Sequence, residues 1–202
     1  MISGVHADAF AETHGVQPKL TARKAVMHDI RLILDLIDGY AAKGVMLART
    51  EFELSEAIRD FTVVMQGDTL LGCGALHFYT PTIGEIRSLA VDEKAKTKGV
   101  GRILVEALVH EAQVYELDAV FAFTYVVEFF NKVGFQAVER GALPLKAWKD
   151  CVRCPKFQVC DEVAVLRVLR EEQTVESQPR FLIDRVASPD DQLIQIPTPL
   201  IP

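Results

Sequence analysis

The sequence predicts a single α/β domain of the α+β kind, and three observations point to it. Apolar runs with a period of two and stretches with a period near 3.6 alternate in the order β, α, α, β, β, β, α, β, α, β, β. Three or four strands precede the one basic, glycine-bearing loop, Lys96-Thr97-Lys98-Gly99-Val100-Gly101-Arg102. Half of the 202 residues are hydrophobic and 25% are charged, enough for one domain with a real core.

The elements follow in order. Residues 1–20 are small and polar, without a period, and read as a flexible N-terminal arm. The domain then occupies residues 21–170. Lys24-Ala25-Val26 is its expected first strand, and Ile30, Ile33, Leu34 and Ile37 mark one face of a helix ending near Gly39-Tyr40. A loop from Ala41 to Thr50 leads to a short helix from Glu51 to Arg59. Phe61 to Met65 and Thr69 to Phe78 flank Gln66-Gly67-Asp68, a hairpin signal with glycine in the turn. Glu85 to Val91 is the next strand. A helix from Gly101 to Tyr115 is expected to bury Ile103, Leu104, Ala107, Leu108 and Ala112. Ala119 to Thr124, Gln136 to Glu139 and Glu162 to Leu169 are the remaining strands, with a short helix from Val127 to Val133. Residues 171–202, rich in Pro, Gln and Asp, read as an extended or disordered tail.

Composition narrows the function. A net charge of -6 argues against nucleic acid, so the basic loop points to a local anionic ligand. No apolar stretch is long enough for a bilayer, and residues 1–18 lack the basic and apolar segments of a secretory signal, so a cytoplasmic protein is expected. In a reducing compartment Cys73, Cys151, Cys154 and Cys160 read as thiols rather than disulfides. Cys151, Cys154 and Cys160 supply three of the four ligands zinc prefers, and the last histidine is His110, so no metal is expected.

A strand, a basic glycine loop and a helix start together make a phosphate site. Glycine lets the backbone turn so that amides converge, and the helix dipole favours negative charge there. The strands before the loop argue against a dinucleotide fold built on its first strand. The loop also lacks the third glycine of G-x-G-x-x-G and the G-x-x-x-x-G-K of a P-loop.

Lys96-Thr97-Lys98-Gly99-Val100-Gly101 resembles the signature of the GNAT superfamily of N-acetyltransferases: Arg or Gln, two residues, Gly, one residue, then Gly or Ala. Lys stands where Arg or Gln is usual, and Thr97 where glycine is common. Phe129-Phe130-Asn131-Lys132-Val133-Gly134-Phe135 is similar to the family's second element. Three further stretches, Gly84 to Val91, Phe121 to Phe130 and Cys151 to Phe157, resemble the short bacterial ArgA-type amino-acid acetyltransferases. The resemblance covers residues 22–169 and implies a mixed, mostly antiparallel sheet that splays where the donor enters, flanked by helices. It implies acetyl-CoA as co-substrate and a small amino acid, L-glutamate or L-glutamine, as acceptor. A homodimer stays open.

By this resemblance Lys96, Thr97, Lys98, Gly99, Val100, Gly101 and Arg102 hold the pyrophosphate. The Leu89, Ala90 and Val91 backbone pairs with pantetheine, and Phe129, Phe130 and Lys132 line its other side; Phe130 is equally suited to the core. Glu85 is the expected base, because a protonated α-ammonium must lose a proton before it attacks a thioester. Period two puts Glu85, Arg87 and Leu89 on one face. Arg87 can bind a carboxylate in bidentate fashion, with Arg49 as a second anchor. Many GNAT enzymes carry Tyr at the place of Phe130 as the acid. Here Tyr125 is the candidate acid, and Thr124 offers either a hydroxyl or a pantetheine contact.

Overall fold

Helix α1, Ile30–Ala41, forms because Ile30, Ile33, Leu34 and Ile37 recur on one stripe, and all four are buried. The structure, a computed structural model, describes residues 19–143, 154, 156 and 159–170. Helix α2, Glu51–Ala57, opens on a reciprocal cap. The Glu53 amide donates to Thr50 Oγ1 at 3.1 Å, and the Thr50 amide donates to Glu53 Oε2 at 2.9 Å. Helix α3, Val100–Val114, buries Val100, Leu104, Val105, Leu108, Val109 and Ala112. Its inner face is thus rotated from the expected one: Val105 and Val109 replace Ile103 and Ala107, which are half-buried. Helix α4 is Val127–Lys132.

Seven strands form one sheet in the order β1-β2-β3-β4-β5-β7-β6. They are β1 Leu20–Lys24, β2 Phe61–Gln66, β3 Thr69–Phe78, β4 Ile83–Val91, β5 Ala119–Thr124, β6 Gln136–Val138 and β7 Val163–Val168. Every neighbouring pair is antiparallel except β4 with β5. This is the mixed, mostly antiparallel sheet expected. Gly67, at φ 59°, makes the β2–β3 turn. The first strand lies earlier than the sequence suggests. As an edge strand, β1 exposes most of its side chains and leaves no apolar alternation to read. Residues 1–18 and 171–202, the expected arm and tail, lie outside the described residues, and Leu20, expected in the arm, begins β1.

Helices α1 and α2 cover one face of the sheet, packing with Val63, Cys73, Ala75 and Ala90. Helices α3 and α4 cover the other, where Leu76, Ile86, Val120, Ala122 and Val165 meet Val105, Leu108, Phe130 and Val133. No helix of the described residues is long and apolar enough to cross a membrane.

The entry to α1 rests on Asp29. Its carboxylate accepts from both Arg23 guanidinium nitrogens, at 2.7 and 2.9 Å, and from the Val26 amide at 2.8 Å. The Arg23 hydrogen bond is the main reason its carboxyl is held below the usual range. That stabilisation is complete above the unfolded carboxylate value and is lost as pH falls through the lowered one. Asp29→Asn is expected to cost about 1.5–3 kcal/mol at neutral pH and to flatten the acid side of the stability profile. Urea unfolding between pH 3 and 7 checks this; a neutral-pH loss below about 0.5 kcal/mol would contradict it.

Candidate active site

The sheet forks at Glu85. Strands β4 and β5 pair only through Ile83–Glu85 with Ala119–Phe121. Beyond this, β4 follows β3 to Val91, and β5 follows β7 to Thr124. One edge of β4 therefore faces a wedge-shaped cleft. Within the cleft β4 carries a bulge: Ala75 opposes Arg87 and Cys73 opposes Ala90, so Ser88 and Leu89 both face Gly74. Ser88 has φ 51°, a left-handed conformation uncommon outside glycine.

The bulge changes which side chains share a face. Glu85 and Arg87 lie with Ala75 and His77 on the α1/α2 side, as their register requires. Leu89, expected beside them, packs on the α3 side: a Cβ on Gly74 would sit 3.0 Å from Leu89 and 3.1 Å from Leu108. The expectation failed because period two holds only while pairing is regular. The Asp92 amide donates to the Leu71 carbonyl at 2.8 Å, so alternation turns the Val91 N–H and C=O into the cleft. There the Tyr40 hydroxyl donates to the Val91 carbonyl at 2.6 Å.

The basic loop lies just beyond. A 3₁₀ turn, Glu93–Lys98, runs into Gly99 at φ 76°, which caps α3. The first helical bond there is from the Ile103 amide to the Gly99 carbonyl at 3.0 Å. The Val100, Gly101 and Arg102 amides precede it at the positive end of the dipole. Lys96 pairs with Glu93 at 2.7 Å, Arg102 with Glu106 at 2.6 Å, and Lys98 donates to Gln66 at 3.5 Å. Lys96, Thr97, Lys98 and Arg102 are exposed. Gly101 lies under the Phe129 ring, which a Cβ would approach to 3.2 Å. Phe129 is half-buried at the cleft and Lys132 is exposed on α4. Phe130, by contrast, is a core residue, 3% exposed and edge-on to Phe129 and Phe135, so its side chain does not line the cleft.

On the opposite face, Glu85 Oε2 and Arg87 Nη1 are 4.0 Å apart, with side chains 11% and 15% exposed. His77, in register with Glu85, places Nδ1 3.2 Å from Asp60. Arg49 is half-buried in the segment that leads into α2. Thr124 is buried and its hydroxyl accepts from the Val126 amide at 3.0 Å, which turns the chain into α4. Tyr125 follows the end of β5 and is exposed. Its hydroxyl accepts from Lys156 Nζ at 3.4 Å, and the ammonium lies 5.1 Å from its ring centre. Burial pushes the Tyr125 phenol above its ordinary value, against the pull of Lys156.

Beside Tyr125 lies a group that the sequence does not announce. Arg140 donates to the carbonyls of Cys160 and Glu162 and to Cys160 Sγ, and it stacks 5.9 Å from the Phe123 ring. Burial raises the Glu162 carboxyl above its usual range, with Arg140 opposing. These partners are about 20 residues apart in sequence, so no local pattern reveals them. Among the described residues no three His, Cys, Asp or Glu side chains gather as a metal would require; Cys151 lies outside them. Cys73 is fully buried and its thiol is pushed up to about 12 by burial, which disqualifies it as an acyl carrier.

A family model described as Acetyltransferase (GNAT) family matches residues 35–135, which span the fork, the loop and Phe129. The chain belongs to the GNAT acetyltransferase family. GNAT membership makes the protein an acyltransferase with acetyl-CoA as co-substrate. An uncharacterized N-acetyltransferase of Chlorobaculum tepidum is 41% identical over 147 residues, covering 73% of this chain and 95% of that one. An amino-acid acetyltransferase of Mycobacterium tuberculosis is 37% identical, covering 65% of this chain and 76% of its own. Among solved structures, N-acetylglutamate synthase from Neisseria gonorrhoeae, complexed with coenzyme A and N-acetyl-glutamate, superposes with a TM-score of 0.69 at 27% identity. That match covers 77% of this chain and 36% of the synthase.

In this GNAT loop the left-handed Gly99 can be tested without steric interference, since nothing lies within 4 Å of an added Cβ. Gly99→Ala is expected to cost about 1–2 kcal/mol of stability from backbone strain alone. By tilting the first α3 amides it should also raise the KM for acetyl-CoA on the order of tenfold, about 1.4 kcal/mol of binding. Initial-rate kinetics with varied donor check it; an unchanged donor KM would remove the loop from the site.

Proposed function

We propose that the protein transfers the acetyl group of acetyl-CoA to the α-amine of an amino acid, L-glutamate or L-glutamine. The observation that carries this is the Glu85–Arg87 pair, largely screened from water on the face of β4 beside the fork. A carboxylate and a guanidinium two residues apart suit the two ends of an amino acid: one accepts a proton from the ammonium, the other binds the carboxylate. The Arg87 guanidinium favours an anionic acceptor over a polyamine, and Arg49, in the segment leading into α2, is the second anchor in this reading. The Mycobacterium tuberculosis relative, an amino-acid acetyltransferase, and the synthase structure bound to N-acetyl-glutamate support the same acceptor class.

The donor enters along β4. Its pantetheine arm carries two amides, which suit the cleft-facing N–H and C=O of Leu89 and Val91, and its pyrophosphate suits the first amides of α3. Lys96, Lys98 and Arg102 add charge at the rim. Phe129 lies along the arm. Glu85, directly or through a water, takes a proton from the acceptor ammonium. The amine lone pair then attacks the thioester carbonyl, the C–N bond forms, and the C–S bond breaks as the oxyanion collapses. The amide nitrogen gives its extra proton to solvent, and the thiolate takes one from the Tyr125 phenol or from water. A phenol is protonated at neutral pH, and the upward shift here is in the same direction. Most of the acceleration comes from holding amine and carbonyl in reach.

Following free CoA with all amino acids offered in parallel tests the acceptor, with glutamate or glutamine expected to stand above the rest. Glu85→Gln should lower kcat by 10²-fold or more, in the range of lost acid–base catalysis, with the dissociation constant for acetyl-CoA kept. Tyr125→Phe should lower it by less than about tenfold, since a thiolate leaves without full protonation. Unchanged turnover in Glu85→Gln would remove the base, and preference for a polyamine would remove the acceptor assignment.

A further inference from the structure

Tyr40 stands at the end of α1, 51 residues before Val91, and is half-buried beside the mouth of the cleft. Three observations meet on this one side chain. Its hydroxyl donates to the Val91 carbonyl at 2.6 Å, a short bond to a backbone group turned away from β3. Its ring carries two ammonium groups, Lys43 Nζ at 5.5 Å and Lys96 Nζ at 5.7 Å from the centroid, within cation–π range. Glu93 ties the same two lysines together, at 3.1 Å from Lys43 and 2.7 Å from Lys96. Lys96 opens the phosphate loop, and Val91 ends the cleft-facing edge of β4. Helix α1, the strand edge and the loop are thus joined through one tyrosine.

We propose that Tyr40 is a positioning residue of the donor half of the site, fixing the Val91 edge and seating Lys96 so that acetyl-CoA meets both at a set separation. The inference rests on the donor placement along β4 given above. A carbonyl accepts two hydrogen bonds, so the Tyr40 bond leaves the second lone pair of Val91 to a pantetheine amide. The phenol bond holds the peptide plane against rotation, and the ring limits where the Lys96 ammonium can go. Both effects act at Val91 and Lys96, six or more residues along the chain from Glu85, so the donor half is where they are expected to be read.

The test separates hydroxyl from ring. Tyr40→Phe keeps the platform and loses the bond to Val91. It should raise the KM for acetyl-CoA about 3–10-fold, the range of one neutral hydrogen bond, with the acceptor KM and kcat held. Tyr40→Leu, which loses the ring as well, should raise it further and weaken the salt dependence of CoA binding measured by calorimetry. The step between Phe and Leu is the ring's share. A role in folding alone would lower kcat through the fraction of active enzyme and leave both KM values unchanged, and would overturn the proposal. So would an unchanged donor KM in Tyr40→Phe, or a lowered one, which would make the hydroxyl a competitor of the donor. Gly99→Ala serves as the control. A raised donor KM there with an unchanged one in Tyr40→Phe defeats only the role of Tyr40. No change in either defeats the placement of the donor.

Discussion

The separation of β4 from β5 after three paired residues is the constraint on which the site depends. Backbone amides of a closed sheet are spent on neighbouring strands, and a buried amide without a partner is costly. A strand that leaves its neighbour while remaining bonded on its other edge therefore presents a row of donors and acceptors to whatever enters. The fork is held open from both sides. Strand β4 stays with β3 through the bulge, and β5 stays with β7 over six paired residues, from Ala119–Val168 to Thr124–Val163. Two separate cores, one under α1 and α2 and one under α3 and α4, fill the faces.

The bulge at Ser88 lets one strand serve two partners. Before it, Glu85 and Arg87 face the α1/α2 side. After it, Leu89 packs toward α3, while Ala90 rejoins the α1 core and the Val91 amide and carbonyl face the cleft. Without the extra residue, Leu89 would crowd the face that carries the charged pair. A left-handed Ser costs on the order of 1–2 kcal/mol, which the packing on both faces offsets. The chain then reaches Gly99, where a second left-handed residue starts α3 and aims its amides back toward the end of the same strand. The cleft-facing edge of β4 and the start of α3 are thus shaped by two left-handed residues in one stretch of chain, Ser88 and Gly99.

Much of this was legible in the sequence because it rests on local period. The stripe of α1, the glycine hairpin, the bounds of β5 and the glycine loop all carry signals within a few residues. What was not legible depends on long-range pairing. Strand β1 is exposed, so its sequence carries no alternation, and the expected first strand fell four residues late. Ser88 gives no sign of its left-handed backbone, as a glycine would, so the bulge and the turning of Leu89 were missed. The inner face of α3 differs from the expected one because Val105 and Val109 pack with Leu76, Ile86 and Val120, partners distant in sequence. Phe130 matched a motif position, yet packing placed it in the core. Tyr40 and Arg140 join partners distant in sequence, and no pattern in either neighbourhood points to them.

Hydrogen exchange at single-amide resolution, with and without acetyl-CoA, reads the fork most directly. The Leu89 and Val91 amides face the cleft, and those of Val100 and Gly101 begin α3, so all four should slow on donor binding. Amides of Ala119 to Phe121, already within the paired part of the sheet, should stay as they are. Protection confined to the helix start, with Leu89 and Val91 unchanged at saturating donor, would contradict the account, because the open edge of β4 would then hold nothing.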